Sequence, residues 1–433
     1  MRSQILYWLI WACGLAKLTA PKLTNDCFAL PAGVDWTPVD TALSMLRDRL
    51  KTVAPEQGCA VSEACDLILA RDVVAMRAHP PDANSAVDGY GFAHAALQGD
   101  GPYELPLVQG RAAAGGPFSG SVPQGSALRI LTGAALPAGV DTVVLEEDMN
   151  SDGLAIAFNG PIKAGSNARK GGEDVQRGET ILHTGRRLTP ADTALLSAVG
   201  VAQVQVFRTL KVGVLSTGDE LVEAGEIAEA GQIYDANRPM LLAQLRRWGF
   251  EAIDLGKAPD TRVVLSDMLD EAAQSCDAIL TSGGASAGDE DHMSALLQET
   301  GSLAMWRIAL KPGRPLALGM WGGVPVFGLP GNPVAALVCT LIFARPALNA
   351  LAGAGWTERQ GFMVPAAFEK RKKAGRREFL RARIREGRVE TFASEGSGRI
   401  SGLSWAEGLV ELPDGNVEIT QDTLVRYIPY DLF

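Results

Sequence analysis

The stretch Lys-Val-Gly-Val-Leu-Ser-Thr-Gly-Asp-Glu-Leu at residues 211–221 joins a short apolar strand pattern directly to a polar turn that contains glycine. Downstream of it, apolar strand patterns alternate with helical patterns. The strands lie at 212–215, 252–255, 278–280 and 324–329, and the helices at 237–248, 262–275, 291–298 and 333–351. This alternation predicts a multidomain α/β plus β protein whose α/β part is a three-layer domain with a parallel-rich sheet.

The loops that follow these strands are the first place to look for a site, because open α/β sheets bind ligands beyond the carboxyl ends of their strands. Five such loops stand out, at residues 216–220, 256–260, 281–286, 311–315 and 328–333. We expect them to converge on one edge of the sheet.

The turn Ser282-Gly283-Gly284, which leads to Ser286, suits a phosphate or a pterin tail. Glycine lets backbone N–H groups approach an anion closely, and a helix start adds partial positive charge. Such a turn by itself is weak evidence and fits a purely structural role as well.

Lys311 and Arg314 place two positive charges three residues apart on a loop stiffened by proline. This pair matches a tetrahedral oxyanion such as phosphate or molybdate. The alternative is a basic loop that is simply solvated.

Three carboxylates accompany these cations in the same set of loops, namely Glu220, Asp260 and Asp291. Carboxylate oxygens are the ligands that hold Mg²⁺ against a phosphoanhydride. Taken singly, each would be a helix cap or a surface acid, so the hypothesis depends on all three together.

Residues 77–174 carry short apolar runs broken by glycine, proline and aspartate, which is typical of a small β-rich domain. Two of its turns hold carboxylates, Asp88 within 84–90 and Asp174 within 171–174. As isolated turns both would be structural.

Composition limits the partners that this chain can have. Its 40 basic and 50 acidic residues give a net charge of −10, which disfavours nucleic acid and anionic lipid. Six cysteines without a C-x-x-C pair and only four histidines indicate reduced cysteines in a cytoplasmic protein. The apolar run at 5–16 is too short to span a membrane, and we interpret it as an over-extended start or a disordered tail rather than a signal peptide.

Folded structure is expected to begin near Asp35, with Thr37 as the cap of a helix and Pro38 in its first turn. A helix at 190–199 and a strand at 204–207 favour a connecting region.

Several of these strings together resemble the molybdopterin molybdenumtransferase family, which includes bacterial MoeA and the E domain of gephyrin. The matching strings are Asn-Ser-Ala-Val-Asp-Gly-Tyr (84–90), Arg-Ile-Leu-Thr-Gly (129–133), Gly-Glu-Asp (172–174), Ser-Thr-Gly-Asp-Glu-Leu (216–221), Ser-Gly-Gly-Ala-Ser (282–286), Lys-Pro-Gly-Arg-Pro (311–315) and Gly-Leu-Pro-Gly-Asn-Pro (328–333). The resemblance runs from near Asp35 to the end of the sequence.

The resemblance implies four domains after an N-terminal extension at 1–34. They are an extended connecting domain at 35–76 and 175–207, a β-rich insertion at 77–174, a MogA-like molybdopterin-binding α/β domain at 208–354 and a C-terminal β-barrel at 355–433. It also implies a homodimer in which the insertion of one subunit covers the α/β cleft of the other. That arrangement would bring four residues to the partner's carboxylates: Asp88, Thr132, Arg169 and Asp174.

The implied activity is insertion of molybdate into adenylyl-molybdopterin, with Mg²⁺ as cofactor and AMP as product. Glu220, Asp174 and Asp88 would act in catalysis, and Glu220, Asp260 and Asp291 would hold the metal. The substrate contacts would be Thr132, Arg169, Ser216, Thr217, Gly218, Gly283, Gly284, Ser286, Lys311, Arg314, Pro330 and Pro333. Arg376, Arg381 and Ser397 would complete the molybdate pocket. Further partners would be the molybdopterin adenylyltransferase and maturation proteins of downstream molybdoenzymes.

Three residues depart from the family pattern. Ala285 replaces a common Val, Arg314 replaces a Lys, and Ala335 stands where Ser is frequent. Ala335 matters most, because it removes a hydroxyl donor beside the implied oxyanion. Two alternatives remain at this point: another enzyme with a related α/β domain, such as a molybdopterin adenylyltransferase or a domain beside a nicotinamide nucleotide amidase, and a non-catalytic scaffold that binds pterin.

Overall fold

A computed structural model of the chain describes residues 36–283, 292–299, 304–313, 315–396 and 398–433. The apolar run at 5–16 lies outside these residues. The α-helices are α1 (Val39–Arg49), α2 (Pro190–Ala198), α3 (Asn237–Arg247), α4 (Arg262–Ser275), α5 (His292–Glu299), α6 (Pro333–Cys339), α7 (Arg345–Leu351) and α8 (Ser401–Trp405). A π-helical segment, Thr340–Ala344, joins α6 to α7.

The strands of the first half of the chain are β1 (Glu56–Ala60), β2 (Ile68–Leu69), β3 (Val73–Val74), β4 (Asn84–Ser85), β5 (Gly89–Phe92), β6 (Tyr103–Ala112), β7 (Ala127–Ile130), β8 (Thr142–Leu145), β9 (Met149–Ser151), β10 (Ala155–Phe158), β11 (Ala168–Arg169), β12 (Thr180–Leu182) and β13 (Gln203–Phe207). Those of the α/β part are β14 (Lys211–Thr217), β15 (Leu221–Val222), β16 (Ile233–Tyr234), β17 (Glu251–Ala258), β18 (Ala278–Ser282), β19 (Ala304–Arg307), β20 (Leu310–Lys311), β21 (Pro315–Trp321) and β22 (Val324–Leu329). The last are β23 (Phe362–Pro365), β24 (Lys370–Lys372), β25 (Arg377–Arg385), β26 (Arg388–Thr391), β27 (Gly408–Leu412), β28 (Val417–Ile419) and β29 (Leu424–Pro429).

The α/β sheet has the strand order β17-β14-β18-β22-β21-β19. The four strands from β17 to β22 run parallel, whereas β21 and β19 are antiparallel additions at one edge. Every residue of β18 is buried, as helices on both faces of a parallel sheet require. The predicted parallel-rich, three-layer fold is therefore confirmed, and β21 extends it beyond the strands predicted from sequence.

The helix predicted at 333–351 is interrupted by the π-helical segment, which ends two residues before Pro346 of α7. Proline lacks an N–H and cannot close the regular hydrogen bond to the residue four positions earlier, which accounts for the wider turn. The stretch Pro333–Leu351 is long and apolar enough to cross a membrane, but 89% of it is buried inside the protein. It is the central core helix of the α/β part.

Helix α1 packs on this same core through Val39, Leu43 and Leu46. The prediction that Thr37 caps this helix is wrong. Pro38 occupies the cap position without a side-chain hydrogen bond. Thr37 instead pairs with Ile308 as an isolated bridge, and its carbonyl oxygen accepts the N–H of Ala309 at 2.8 Å.

The region between α1 and the α/β sheet contains two larger β-sheets and two two-stranded ones, β4-β11 and β3-β12. β1, β13 and β2 form one small antiparallel sheet, and the apolar side chains around it share a core with α2. A six-stranded sheet of order β8-β5-β7-β6-β10-β9 forms the β-rich insertion. Antiparallel pairing of β5 with β7 places Gly89 opposite Ile130, so the residues just before β5 lie beside those just after β7.

The C-terminal strands form a sheet of order β20-β25-β27-β29-β23. β20 comes from the α/β part of the chain, and it pairs in parallel with β25 so that Lys311 lies opposite Glu378. The predicted oxyanion loop is therefore fastened to the C-terminal sheet.

Candidate functional site

The carboxyl end of β14 turns sharply at Gly218, which has φ of +140°. A Cβ atom at this position would collide with the carboxylate of Glu220, so that carboxylate folds back over the glycine. Glu220 itself is exposed. Glycine is needed at Gly218 both for the backbone angle and for the space that Glu220 fills.

Asp219 and Asp260 connect the loops that follow β14 and β17. The N–H of Asp260 donates to the Asp219 carboxylate at 3.1 Å, and the N–H of Asp219 donates to the Asp260 carboxylate at 3.4 Å. Glu220 and Asp260, both predicted metal ligands, thus lie in loops that are held together. The prediction from sequence missed Asp219, although it lies within the quoted motif.

These carboxylates suit magnesium by their chemistry. Mg²⁺ usually takes one or two protein carboxylates and completes its shell with water and substrate phosphates. Among the described residues there is no group of three or more acidic, histidine or cysteine side chains that could enclose a metal alone. Glu220 and Asp260 are the described residues of the predicted metal site that could supply such carboxylates.

The ends of β14, β18 and β22 meet in close backbone contact. A Cβ atom on Gly283 would lie 2.7 Å from the carbonyl oxygen of Thr217, and one on Gly331 would lie 3.8 Å from the Cα of Gly283. The Asn237 side chain donates to the Ser282 hydroxyl and to the Gly331 carbonyl, both at 2.7 Å. Sequence reasoning missed Asn237, which stands at the start of α3 and carries no motif of its own.

Three buried polar atoms at this edge have no hydrogen-bond partner within the described residues: Ser216 Oγ, Thr281 Oγ1 and Asn237 Oδ1. Such atoms are rare in native proteins, because a buried polar atom usually has a protein or water partner. Ser216 is fully enclosed, so its side chain faces the interior, and Thr217 is only 7% exposed. The predicted contacts Ser216 and Thr217 are thus buried, and the first exposed residue of this loop is Asp219.

Helix α6 starts beside the same edge. The Asn332 side chain caps it by accepting the N–H groups of Val334 and Ala335, and Pro333 occupies its first turn. Pro330, immediately before this turn, is buried. A Cβ atom on Gly313 would lie 3.6 Å from the Ala335 Cβ, so the loop that carries Lys311 rests on the first turn of α6.

Lys311 lines a cavity of about 180 Å³ between the α/β part and the C-terminal sheet. Its ammonium group lies 2.7 Å from the carboxylate of Glu395 and 3.5 Å from that of Glu378. Lys370 contacts both carboxylates as well, with Glu378 at 3.1 Å. We call this space the lysine cavity.

The sequence analysis named Glu220, Asp260 and Asp291 as the carboxylates that accompany Lys311, and it did not predict the two that pair with it, Glu378 and Glu395. Glu378 and Glu395 come from the C-terminal domain, so nothing near Lys311 in the sequence indicates them. Glu395 is the more accessible of the two, with 44% of its side chain exposed against 10% for Glu378. An incoming oxyanion would compete chiefly with Glu395.

Arg381 also lines the lysine cavity, but its guanidinium is committed to the protein. It donates to the carbonyl oxygens of Ser394 and Arg399, each at 2.5 Å, and stacks on Phe392 at 4.9 Å. Burial lowers the pKa of this arginine. Arg381 therefore positions the loop that bears Glu395, and Arg376 lies outside the residues that line the cavity.

In the insertion, Asp88 and Thr132 form one unit. The hydroxyl and the N–H of Thr132 both donate to a single carboxylate oxygen of Asp88, and these hydrogen bonds, the hydroxyl first, lower the pKa of Asp88. Both residues are exposed, so the ionised carboxylate points to solvent.

Asp174 and Arg169 are both exposed. The N–H of Asp174 donates to His79 O at 3.2 Å, and Arg169 pairs with Asn84 in the two-stranded sheet β4-β11. The turn that holds Asp174 is thereby fixed by the backbone. Its carboxylate remains at the surface.

Several predicted site residues lie outside the described part of the chain: Gly284, Ala285, Ser286, Asp291, Arg314 and Ser397.

Comparison with known proteins matches three family models along the chain. They are the MoeA N-terminal region (domain I and II) over residues 37–200, a probable molybdopterin binding domain over 213–350 and the MoeA C-terminal region (domain IV) over 363–430. The chain is 39% identical over 347 residues to a molybdopterin molybdenumtransferase of Haemophilus influenzae, covering 79% of this chain and 85% of the relative. It is 33% identical over 377 residues to molybdopterin molybdenumtransferase 2 of Mycobacterium tuberculosis, covering 84% and 93%.

Solved structures give the same picture at the level of the fold. The molybdopterin biosynthesis moeA protein from Pyrococcus horikoshii OT3 is 28% identical and superposes with a TM-score of 0.80. The match covers 92% of this chain and 100% of that one.

Proposed function

The chain belongs to the MoeA family of molybdopterin molybdenumtransferases and acts in molybdenum cofactor biosynthesis, and from this premise we propose that it inserts molybdate into adenylyl-molybdopterin with release of AMP. One observation carries the proposal, a continuous series of contacts from the carboxylates to the lysine cavity. It runs from the Thr217 hydroxyl to the Ser282 carbonyl at 3.5 Å and from the Gly283 N–H to the Leu329 carbonyl at 3.2 Å. From there it continues across the start of α6 to the Lys311 loop, where Gly313 lies against Ala335. A phosphoanhydride and an oxyanion can therefore be held side by side.

We assign the carboxylates of Glu220 and Asp260, with Asp291, to Mg²⁺ and to the orientation of the attacking water. When bound, Mg²⁺ would neutralise charge on the phosphoanhydride oxygens and so favour attack at phosphorus. The water oxygen would bond to the phosphorus of the molybdopterin phosphate and lose a proton to solvent, the bond from that phosphorus to the bridging oxygen would break, and AMP would leave with the electron pair of that bond. Catalysis of this kind needs positioning and electrostatics rather than a covalent intermediate on the protein.

We assign the backbone of Gly218 and Gly283 to the phosphate and pterin portion of the substrate. The N–H of Gly218 donates to Ala258 O at 3.4 Å and that of Gly283 to Leu329 O at 3.2 Å. The two glycines would therefore serve by letting the backbone turn close to the ligand, rather than as its hydrogen-bond donors. Lys311, with Arg314, would hold molybdate in the lysine cavity after Glu395 has moved aside.

We also propose that the active form is a homodimer. Asp88 and Thr132 of the insertion would then act at the partner's α/β edge, together with Arg169 and Asp174. The exposure of the Asp88 carboxylate, which accepts two hydrogen bonds but points to solvent, supports a role toward a second subunit. In the cell, a molybdopterin adenylyltransferase would supply the substrate and maturation proteins would receive the product.

The test is AMP release by the full chain, supplied with adenylyl-molybdopterin, Mg²⁺ and molybdate. We expect molybdate to stimulate release, and we expect Glu220→Ala to lose this stimulation while still binding the substrate. Glu229→Ala is the matched control, because Glu229 is an exposed glutamate nine residues further along.

Two outcomes would contradict the proposal. Tight substrate binding without any AMP release would indicate a scaffold that only binds pterin. Consumption of ATP with unadenylylated molybdopterin would indicate an adenylyltransferase instead.

A further inference from the structure

The lysine cavity contains a second lysine besides Lys311. Lys370 belongs to β24 of the C-terminal domain, and it lines the same space of about 180 Å³. No motif marks this residue in the sequence, where it opens a run of four basic residues at 370–373. Its side chain is 11% exposed, so it lies mostly inside the protein.

Two glutamates bridge Lys311 and Lys370 in the same manner, each giving one carboxylate oxygen to each lysine. Glu395 holds Lys311 through Oε2 at 2.7 Å and Lys370 through Oε1. Glu378 lies 3.5 Å from Lys311 through Oε1 and 3.1 Å from Lys370 through Oε2. The two ammonium groups are therefore neighbours, with a single carboxylate between them on either side.

The two glutamates differ in how they are fixed. Glu378 is buried within β25, and it is not among the residues that line the cavity. Glu395 lines the cavity from a loop. Arg381 holds the backbone of that loop by donating to the carbonyl oxygens of Ser394 and Gly396, at 2.5 and 3.1 Å. The Glu395 side chain can consequently turn toward solvent without disturbing a strand.

The charges favour an anion in the position that Glu395 occupies. Burial would lower the pKa of Lys370, but Glu395 and Glu378 outweigh burial and raise it, so this lysine is charged. Once Glu395 has turned away, the two lysines and Glu378 carry one positive charge between them. A dianion is attracted to that charge about twice as strongly as a monoanion at the same distance.

The surroundings strengthen this attraction. Arg381 and the exposed Glu369, which also line the cavity, carry opposite charges. Much of the remaining described wall is apolar and keeps the local dielectric constant low, through Pro312, Val334, Phe368, Phe379, Leu380 and Phe392.

We propose that Lys370 is the second cation of the oxyanion site, and that a tetrahedral dianion binds between Lys311 and Lys370 in the place of the Glu395 carboxylate. Two oxygens of such an ion can take over the two ammonium contacts that this carboxylate makes. The inference rests on the proposed function, which brings the oxyanion to Lys311. It adds Lys370 as a residue that determines the preference for a doubly charged ion.

The test is calorimetric titration of the full chain with tungstate in a Glu395→Gln background. Adding Lys370→Gln should weaken tungstate binding by roughly tenfold or more, because it removes one of two cations. If Lys370 served only to hold Glu395, the second substitution would have no effect, since that carboxylate is already absent. Lys373→Gln, at an exposed lysine three residues further along, is the matched control and should change the affinity by less than about twofold.

Perrhenate gives a second readout, because it is tetrahedral like tungstate but carries a single charge. The Glu395→Gln protein should bind tungstate more tightly than perrhenate, by roughly fivefold or more. Lys370→Gln should reduce this preference, since Lys311 and Glu378 together have no net charge, whereas damage to the fold would weaken both ions alike. If the double variant does not fold, its parent still decides, and equal affinities for the two ions would overturn the proposal.

Unchanged tungstate affinity on adding Lys370→Gln, or no tungstate bound by the Glu395→Gln parent, would also overturn it. Molybdate-stimulated AMP release by the wild type tests the proposed function separately. If the wild type releases no AMP but Lys370→Gln weakens tungstate binding, Lys370 stands as an oxyanion residue and the proposed reaction fails. Stimulated AMP release beside an unchanged tungstate affinity would mean the reverse.

Discussion

Thr132 donates both its backbone N–H and its hydroxyl to the same carboxylate oxygen of Asp88, each at 2.6 Å. The two residues are 44 positions apart, and the pairing of β5 with β7 brings them together. The sequence motifs around Asp88 and Thr132 are therefore two halves of one structural unit.

Replacing Thr132 by Val should raise the pKa of Asp88 toward its usual value, because the hydroxyl is the largest contribution to the lowered pKa. A lowered pKa keeps the carboxylate ionised in more acidic solution. The acid limb of the pH–rate profile should therefore move to higher pH by roughly a few tenths of a unit. Thr132→Ser retains the hydroxyl and should leave the limb in place; identical profiles for both variants would count against a role for this hydrogen bond.

Glu395→Gln should tighten the binding of molybdate or tungstate by roughly three- to tenfold, because it removes a carboxylate that competes for Lys311. The ion pair between Glu395 and Lys311 is partly exposed, and such a pair contributes about 1 kcal/mol. Burial alone would raise the pKa of Glu395, but hydrogen bonds from Lys311 and Lys370 outweigh it and lower that pKa. Glu395 is therefore ionised at neutral pH and forms ion pairs with Lys311 and Lys370. Calorimetric titration with tungstate measures the change.

Glu390→Gln is the matched control for that experiment. Its side chain is 40% exposed, close to the 44% of Glu395, but it pairs with Arg383 rather than with Lys311. Equal effects of the two substitutions would show that general charge, and not competition at Lys311, controls the affinity.

The contrast between Lys311 and the α/β core shows what could be predicted from the sequence. Strands such as β14 and β18 follow from local apolar runs, and the polar turns after them mark the edge where ligands bind. The ion pairs of Lys311 join residues 67 and 84 positions apart. No local pattern reports such pairings, because they depend on how the C-terminal sheet docks on β20.

The error at Thr37 has a similar cause. Its sequence has every local feature of a helix cap, but the segment forms a bridge with Ile308 and stays extended. A long-range backbone contact thus outweighed the local preference. Thr189, whose local signal meets no such competitor, forms a complete capping box with Asp192 at the start of α2.

Asp192→Asn should lower the free energy of unfolding by about 1–2 kcal/mol at pH 7. The carboxylate accepts the N–H and the hydroxyl of Thr189, and it pairs with Arg186 at 2.9 Å. Burial raises the pKa of Asp192, but these partners outweigh burial and lower it. The stabilisation is therefore complete above about pH 4, the usual carboxyl range, and is lost as the pH falls through the lower folded-state value.

Urea unfolding between pH 3 and pH 7 checks this expectation. Asp48→Asn, at a carboxylate 74% exposed on α1, should change stability by under about 0.5 kcal/mol throughout. A gap between wild type and Asp192→Asn that widened in acid would contradict the assignment.

Ala335→Ser should strengthen oxyanion binding. In the absence of an oxyanion it should lower the stability of the folded protein. Ala335 is 3% exposed in the first turn of α6, against Gly313 of the loop that carries Lys311. A buried hydroxyl without a partner costs about 1 kcal/mol or more, whereas a hydrogen bond to a charged group contributes about 1.5–3 kcal/mol. We expect a lower melting temperature without tungstate and roughly tenfold tighter tungstate binding.

Ala336→Ser is the control variant. It places its hydroxyl one residue further on, at a fully buried position, and should lower the melting temperature without any gain in affinity for tungstate. If both variants bind tungstate as the wild type does, the start of α6 does not face the oxyanion, and Lys311 must hold it from the side of the C-terminal sheet.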